Sequence, residues 1–158
     1  MPQEIEKLHA SHVLVTGTFN VMHAGHVELF EFASRFGRVT VGINADSYLH
    51  KKYGKDKTVP LINRAYVLNS CRFVDEVVVF TEADPSALIL QLRPQVFIRG
   101  PDYVDAKLVE QDALDQVGAE LIIHQTKKIH NASSLIESVP NSTFVSMAGR
   151  VAKTWKDY

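Results

Sequence analysis

Short apolar, β-branched runs alternate along the chain with longer stretches in which apolar positions recur every three or four residues. His12–Val15 is such a run and ends at Gly17, after which Val27, Leu29, Phe30 and Ala33 fall at helical spacing. Arg38–Ile43 is apolar with so little interruption that it reads as a strand buried on both faces. A polar loop is expected over Lys51–Thr58, and Pro60 then opens a helix containing Ala65, Val67 and Leu68. Val77–Phe80 is a third strand, and Asp84-Pro85 caps and starts the next helix, with proline at a favoured first position. Gln95–Ile98 is a fourth strand, Lys107–Val117 a helix stopping near Gly118, and Glu120–Ile123 a fifth strand.

Regular alternation of this kind predicts an α/β fold: a single Rossmann-like, doubly wound domain with a five-stranded parallel sheet and helices on both faces. In that architecture ligands bind beyond the carboxyl ends of the strands, where the strand order reverses. Residues 1–10 form an N-terminal extension. Residues 141–158 form a tail in which Phe144, Val145, Ala148, Val151, Ala152 and Trp155 repeat at helical spacing, and it is expected to pack on the body or on a second subunit as a homodimer.

Composition narrows the function classes. A chain of 158 residues that is 46% hydrophobic can bury one good core. Its formal net charge of -1 argues against a dedicated nucleic-acid binder. No apolar stretch is long enough to span a bilayer, and Met1–Lys7 is not built like a secretory signal. Cys71 is the only cysteine, so no internal disulfide can form, and a cytoplasmic setting is expected. Cys71 itself reads as a small buried hydrophobe.

Chemistry concentrates in Thr16-Gly17-Thr18-Phe19-Asn20-Val21-Met22-His23-Ala24-Gly25-His26, between the first strand and the first helix. Unpaired N–H groups and the positive end of the helix dipole attract anions there, and Gly17 and Gly25 let a phosphate approach the backbone. His23 and His26 share one helix face. Plain capping and zinc ligation are the competing readings. Zinc needs a third protein ligand, and neither Cys71 nor an acidic cluster follows the motif. Hydrogen bonds from both imidazoles to phosphate oxygens account best for the strand, glycine and helix context.

This segment resembles the HxGH nucleotidyltransferases, which carry G-(T/S/C)-F-(D/N)-x-x-H-x-G-H after their first strand, and Asn20 stands where many of them have Asp. The resemblance implies binding of a nucleoside triphosphate and transfer of its nucleotidyl group to a small phosphorylated acceptor, with pyrophosphate released. In the cytidylyltransferase-like branch a lysine follows a strand-end Asp by six positions. Counting from Asp46 reaches Lys52, although Tyr53 intervenes before Gly54 and leaves Lys51 and Lys55 as substitutes. Asn63-Arg64 matches a helix start whose arginine often faces the phosphates; a surface arginine is the alternative.

Ile98-Arg99-Gly100-Pro101-Asp102-Tyr103 is similar to the K-G-x-D-(Y/W) element of heptose-1-phosphate adenylyltransferases and glycerol-3-phosphate cytidylyltransferases. By this likeness Arg99 contacts the nucleotide or the acceptor phosphate, Gly100 contacts the nucleotide, and Arg64, Asp102 and Tyr103 line the pocket for the phosphorylated acceptor; Asp102 alternatively caps the next helix. The family's last motif, R-T-x-G-(I/C)-S-(T/S)-(T/S), is diverged here to Thr126 through Ile136, with Asn131-Ala132-Ser133 over the hydroxyl triplet or, with a small gap, Ser133-Ser134 over the hydroxyl pair, and Lys127 or Lys128 supplying charge.

The implied site therefore has His23, His26 and Lys52 as catalytic residues. Thr16, Gly17, Thr18, Phe19, Gly25, Arg99, Gly100, Asn131, Ser133 and Ser134 bind the nucleotide. No protein metal site is expected, magnesium (Mg2+) being held mainly by substrate phosphates. A sugar-1-phosphate adenylyltransferase, a polyol-phosphate cytidylyltransferase and a non-catalytic nucleotide-binding module are the readings to separate.

Overall fold

A computed structural model describes residues 11–100 and 108–125. The expectations placed on residues 1–10, Asp102, Tyr103, Asn131, Ser133, Ser134 and the tail 141–158 lie outside that range.

The strands are β1 (Ser11–Gly17), β2 (Gly37–Asn44), β3 (Glu76–Phe80), β4 (Val96–Arg99) and β5 (Glu120–Ile123). They form one sheet of order β3-β2-β1-β4-β5, and every neighbouring pair is parallel. Val13 pairs with Val39 on one side and Val96 on the other, so β1 is the central strand and the order reverses beside it. Val13, Leu14 and Val15 in β1, and Val39, Val41 and Ile43 in β2, are fully buried, as strands covered on both faces must be.

The helices are α1 (Ala24–Ser34), α2 (Asp46–Tyr53), α3 (Leu61–Asn69), α4 (Ser86–Leu92) and α5 (Gln111–Val117). Leu29, Phe30 and Ala33 of α1 pack with Leu68 of α3 against Val13, Val15 and Val39 on one face of the sheet. Leu88 and Ile89 of α4 pack with Ala113 and Leu114 of α5 against Leu14 and Phe97 on the other. Cys71 is half-buried at the edge of the first of these clusters.

Val27 falls within α1 as its spacing predicts and is 36% exposed, at the margin of the buried stripe. Two expectations need correction. The loop expected from Lys51 instead continues α2 through Tyr53 and closes with a short 3-10 turn at Lys55–Lys57. Asp46 stands in the first turn of α2 and His50, Lys51 and Lys52 in its last, so the charges complement the helix dipole although Leu49 is its single buried residue. The last helix begins at Gln111 rather than Lys107.

Candidate active site

The carboxyl end of β1 runs into α1 through Thr18–His23, and the two histidines close the helix start reciprocally. His23 is the N-cap residue, in extended conformation, and its Nδ1 accepts from the Gly25 N–H at 3.1 Å. His26 sits in the third helical position, and its Nδ1 accepts from the His23 N–H at 3.3 Å. A ring nitrogen that accepts a backbone N–H carries no proton, so in the neutral rings the proton is on Nε2. The rings stack at 3.8 Å with 27° between their planes. Burial, with the His23 charge adding to it, lowers the His26 pKa from 6.5 to about 4, so His26 is neutral at physiological pH.

Both glycines of the motif are explained by close approach. A Cβ on Gly25 would lie 3.0 Å from Cε1 of His23, so a larger residue would displace the ring that caps the helix. A Cβ on Gly17 would lie 3.0 Å from two ring atoms of Phe19. Phe19 has φ 44°, which turns its side chain back under the motif. It is buried against Phe30 and meets His26 edge-on, with ring centroids 5.0 Å apart. Phe19, expected among the nucleotide-binding residues, thus packs behind His26. Asn20 uses both ends of its amide: Oδ1 accepts from Val59 N–H and Nδ2 donates to Lys57 O, each at 2.7 Å. Only the first of those bonds is open to the Asp of many relatives.

Beside this helix start lies a cleft of about 460 Å³ over the carboxyl ends of β1 to β4. Thr16, Gly17 and Thr18 form its floor, Tyr48, Lys52 and Tyr53 of α2 one wall, and Arg99 and Glu110 another. His23 and His26 are not among the lining side chains; His23 follows the last floor residue, Thr18, by five positions. Of the three candidate lysines, Lys52 is the one that lines the cleft. Its Nζ lies 5.2 Å from the Tyr53 ring centroid and 5.9 Å from that of Tyr48. Gly100 follows β4 directly.

Arg64 is placed differently from expectation. Its side chain is fully buried beneath the site. Nε donates to Val59 O, Nη1 to Thr18 O and Asn44 O, and Nη2 to Asp46 Oδ1 at 2.7 Å. With these acceptors around it, the guanidinium ties the β1 loop, the end of β2 and the start of α2 together. Burial would raise the Asp46 pKa, but the Arg64 and Leu61 hydrogen bonds and the positive charge of Arg64 and His50 outweigh it and hold the carboxyl below its usual range.

Sequence reasoning missed Glu110 and Tyr48. Glu110 pairs with Arg99 inside the cleft wall, where the two side chains are only 3% and 10% exposed. Nothing in the local pattern marks Glu110, because its partner comes from another strand end. Tyr48 precedes Lys52 by one helical turn, a signal visible only once that segment is read as a helix. Among the described residues no group of three or more His, Cys, Asp or Glu could hold a metal ion.

A parallel sheet that reverses its order beside a His-x-Gly-His helix start, with a lysine lining the cleft over the neighbouring strand ends, defines a nucleotidyltransferase of the Rossmann-like class. The chain belongs to the cytidylyltransferase-like family, whose model matches residues 14–146. It is 40% identical over 126 residues to the bifunctional protein HldE of Aliarcobacter butzleri, covering 73% of this chain and 26% of that one. It is 37% identical over 117 residues to HldE of Streptomyces coelicolor, covering 73% and 25%. The chain thus spans about a quarter of the length of these relatives. Among solved structures it resembles a lipopolysaccharide core biosynthesis protein from Thermoplasma volcanium, with a TM-score of 0.59 at 22% identity over 76% of this chain and 98% of that one. It also resembles pantothenate synthetase from Thermus thermophilus, with a TM-score of 0.54 at 18% identity over 89% and 67%. At these identities the structural likeness concerns the fold.

Proposed function

We propose that this chain transfers an adenylyl group from ATP to a sugar 1-phosphate and releases pyrophosphate. The observation that carries the reading is the reciprocal histidine cap, which engages both Nδ1 atoms as acceptors and leaves the two Nε2 atoms to donate, at a helix start beside the cleft that Lys52 enters. An oxygen of the sugar phosphate attacks the α-phosphorus in line; the new P–O bond forms as the bond to the β-phosphate oxygen breaks, and pyrophosphate leaves with that electron pair. A phosphate monoester needs no protein base for this attack, so the protein's contribution is positioning and charge stabilisation. His23 and His26 donate to the α-phosphate and the departing phosphates, Lys52 neutralises developing charge, and Thr18 adds a contact from the floor. The triphosphate would enter as its magnesium complex, with the ion held mainly by the phosphate oxygens. The HldE relatives support adenylyl rather than cytidylyl transfer.

Pyrophosphate release measured with ATP or CTP, magnesium and either heptose 1-phosphate or glycerol 3-phosphate tests the reading. Release is expected with ATP and the sugar phosphate, and His26→Ala is expected to abolish it while leaving the fold intact. Retained turnover in that variant overturns the assignment, and nucleotide binding without release favours a non-catalytic module.

Association as a homodimer in the cytoplasm is part of the same proposal. Ile62, Tyr66 and Val67 of α3 and Val79 of the edge strand β3 are large exposed apolar residues, which supports burial against a second copy. Among the described residues no helix is long and apolar enough to cross a membrane.

A further inference from the structure

We propose that Tyr48, Lys52 and Tyr53 form the wall that selects a ring-shaped sugar phosphate over an acyclic polyol phosphate, an inference that rests on the reaction proposed above. Tyr48 and Lys52 lie one turn apart on the same face of α2, and Tyr53 ends that helix. All three line one cleft. Tyr53 is 42% exposed there, so much of its surface is open to a ligand. Lys52 holds its ammonium near the two aromatic rings.

A pyranose phosphate has two unlike ends, a flat apolar face of C–H groups and a dianionic phosphate. An aromatic ring beside an ammonium group matches both at once. An acyclic polyol phosphate offers the anion but no flat face, and it gains only the lysine. The position of the wall suits the sugar rather than the nucleotide. It belongs to α2, which follows β2, and shares the cleft with Asn44 and Phe80 from the ends of β2 and β3. Arg99, the expected nucleotide contact, ends β4 on the other side of β1. Two ligands laid along these halves bring their phosphates together over Thr16–Thr18, beside the histidines, as in-line transfer requires.

The test compares wild type, Tyr53→Ala, Tyr48→Leu and Tyr53→Phe with heptose 1-phosphate, mannose 1-phosphate and glycerol 3-phosphate. In steady-state pyrophosphate release, Tyr53→Ala and Tyr48→Leu should raise KM for the sugar phosphates about 5- to 10-fold, the loss of one aromatic contact. KM for ATP should stay within about twofold, and Tyr53→Phe should resemble wild type. Unchanged KM for the sugar phosphates, or a rise confined to ATP, overturns the proposal. Should the wild type release no pyrophosphate with any of these compounds, the proposed reaction fails. Calorimetric binding of heptose 1-phosphate to wild type and Tyr53→Ala then decides the wall separately: weaker binding by the variant supports it, and equal binding or none refutes it.

Discussion

Replacing Arg64 with leucine separates a clamp from a ligand contact. The guanidinium serves three backbone carbonyls and one carboxylate, and its side chain is completely buried. Removing one partner of a buried ion pair costs about 3–5 kcal/mol, and each orphaned buried acceptor adds about 1–3 kcal/mol. Asp46 is 35% exposed and regains water when freed, so the ion pair itself is discounted to at most about 1 kcal/mol, and the three orphaned carbonyls at about 1 kcal/mol each bring the total to about 3–4 kcal/mol. For a chain of this size about 2–4 °C is lost per kcal/mol, so the melting midpoint should fall by about 10 °C. Differential scanning calorimetry and urea unfolding read the loss directly. Arg64→Lys should recover only part of it, because a point charge on a flexible stem cannot meet acceptors spread around a planar fork. A variant whose midpoint stays within about 2 °C of wild type while KM for the phosphorylated substrate climbs would refute the clamp and return Arg64 to the binding site.

Asn20→Asp, which installs the residue of many relatives, should destabilise the protein by about 1 kcal/mol in urea unfolding, because the bond to Lys57 O is lost and a carboxylate replaces its donor. Equal stability would show that the Nδ2 bond contributes nothing. The Asp46 carboxyl titrates below its unfolded value of 3.8 in the folded state, so its stabilisation is complete above that value and is lost as pH falls through the lower folded one. The stability gap between wild type and Asp46→Asn should therefore close as the pH drops below the carboxylate range; a gap that persists there would refute the charge argument. His26 has its pKa lowered to about 4, so folding loses its contribution as pH falls from about 6.5 to about 4, and NMR titration of the ring should show the Nε2–H tautomer at neutral pH. A His26 midpoint between 6 and 7 would contradict the buried, reciprocally capped geometry.

Legibility in the sequence followed the source of each element's stability. The strands stood out because both faces of the sheet are covered, which forces runs such as Val39–Asn44 to be buried without a break. Helix α2 was hidden for the converse reason: with Leu49 alone buried, it has almost no apolar stripe, and its identity rests on charge placement and the stop at Gly54. The histidine motif was legible because its geometry is local, a cap closed within four residues. Arg64 and Glu110 were not, since what each does is decided by segments distant in sequence: carbonyls from the loop after β1, the end of β2 and the approach to α3 around Arg64, and the β4 arginine beside Glu110.

The sheet order carries a consequence for how the protein is made. Synthesis delivers the central strand β1 and both histidines early, but β1 gains its second neighbour only when Val96–Arg99 emerges. A parallel pairing of such long sequence separation forms slowly, because the intervening chain must first be ordered. A nascent chain that stops short of β4 thus has the phosphate loop without the Arg99–Glu110 wall of its cleft. Ribosome-bound chains of increasing length should acquire nucleotide-dependent resistance to protease abruptly, after β4 and Glu110 have cleared the exit tunnel, rather than in step with the appearance of the motif.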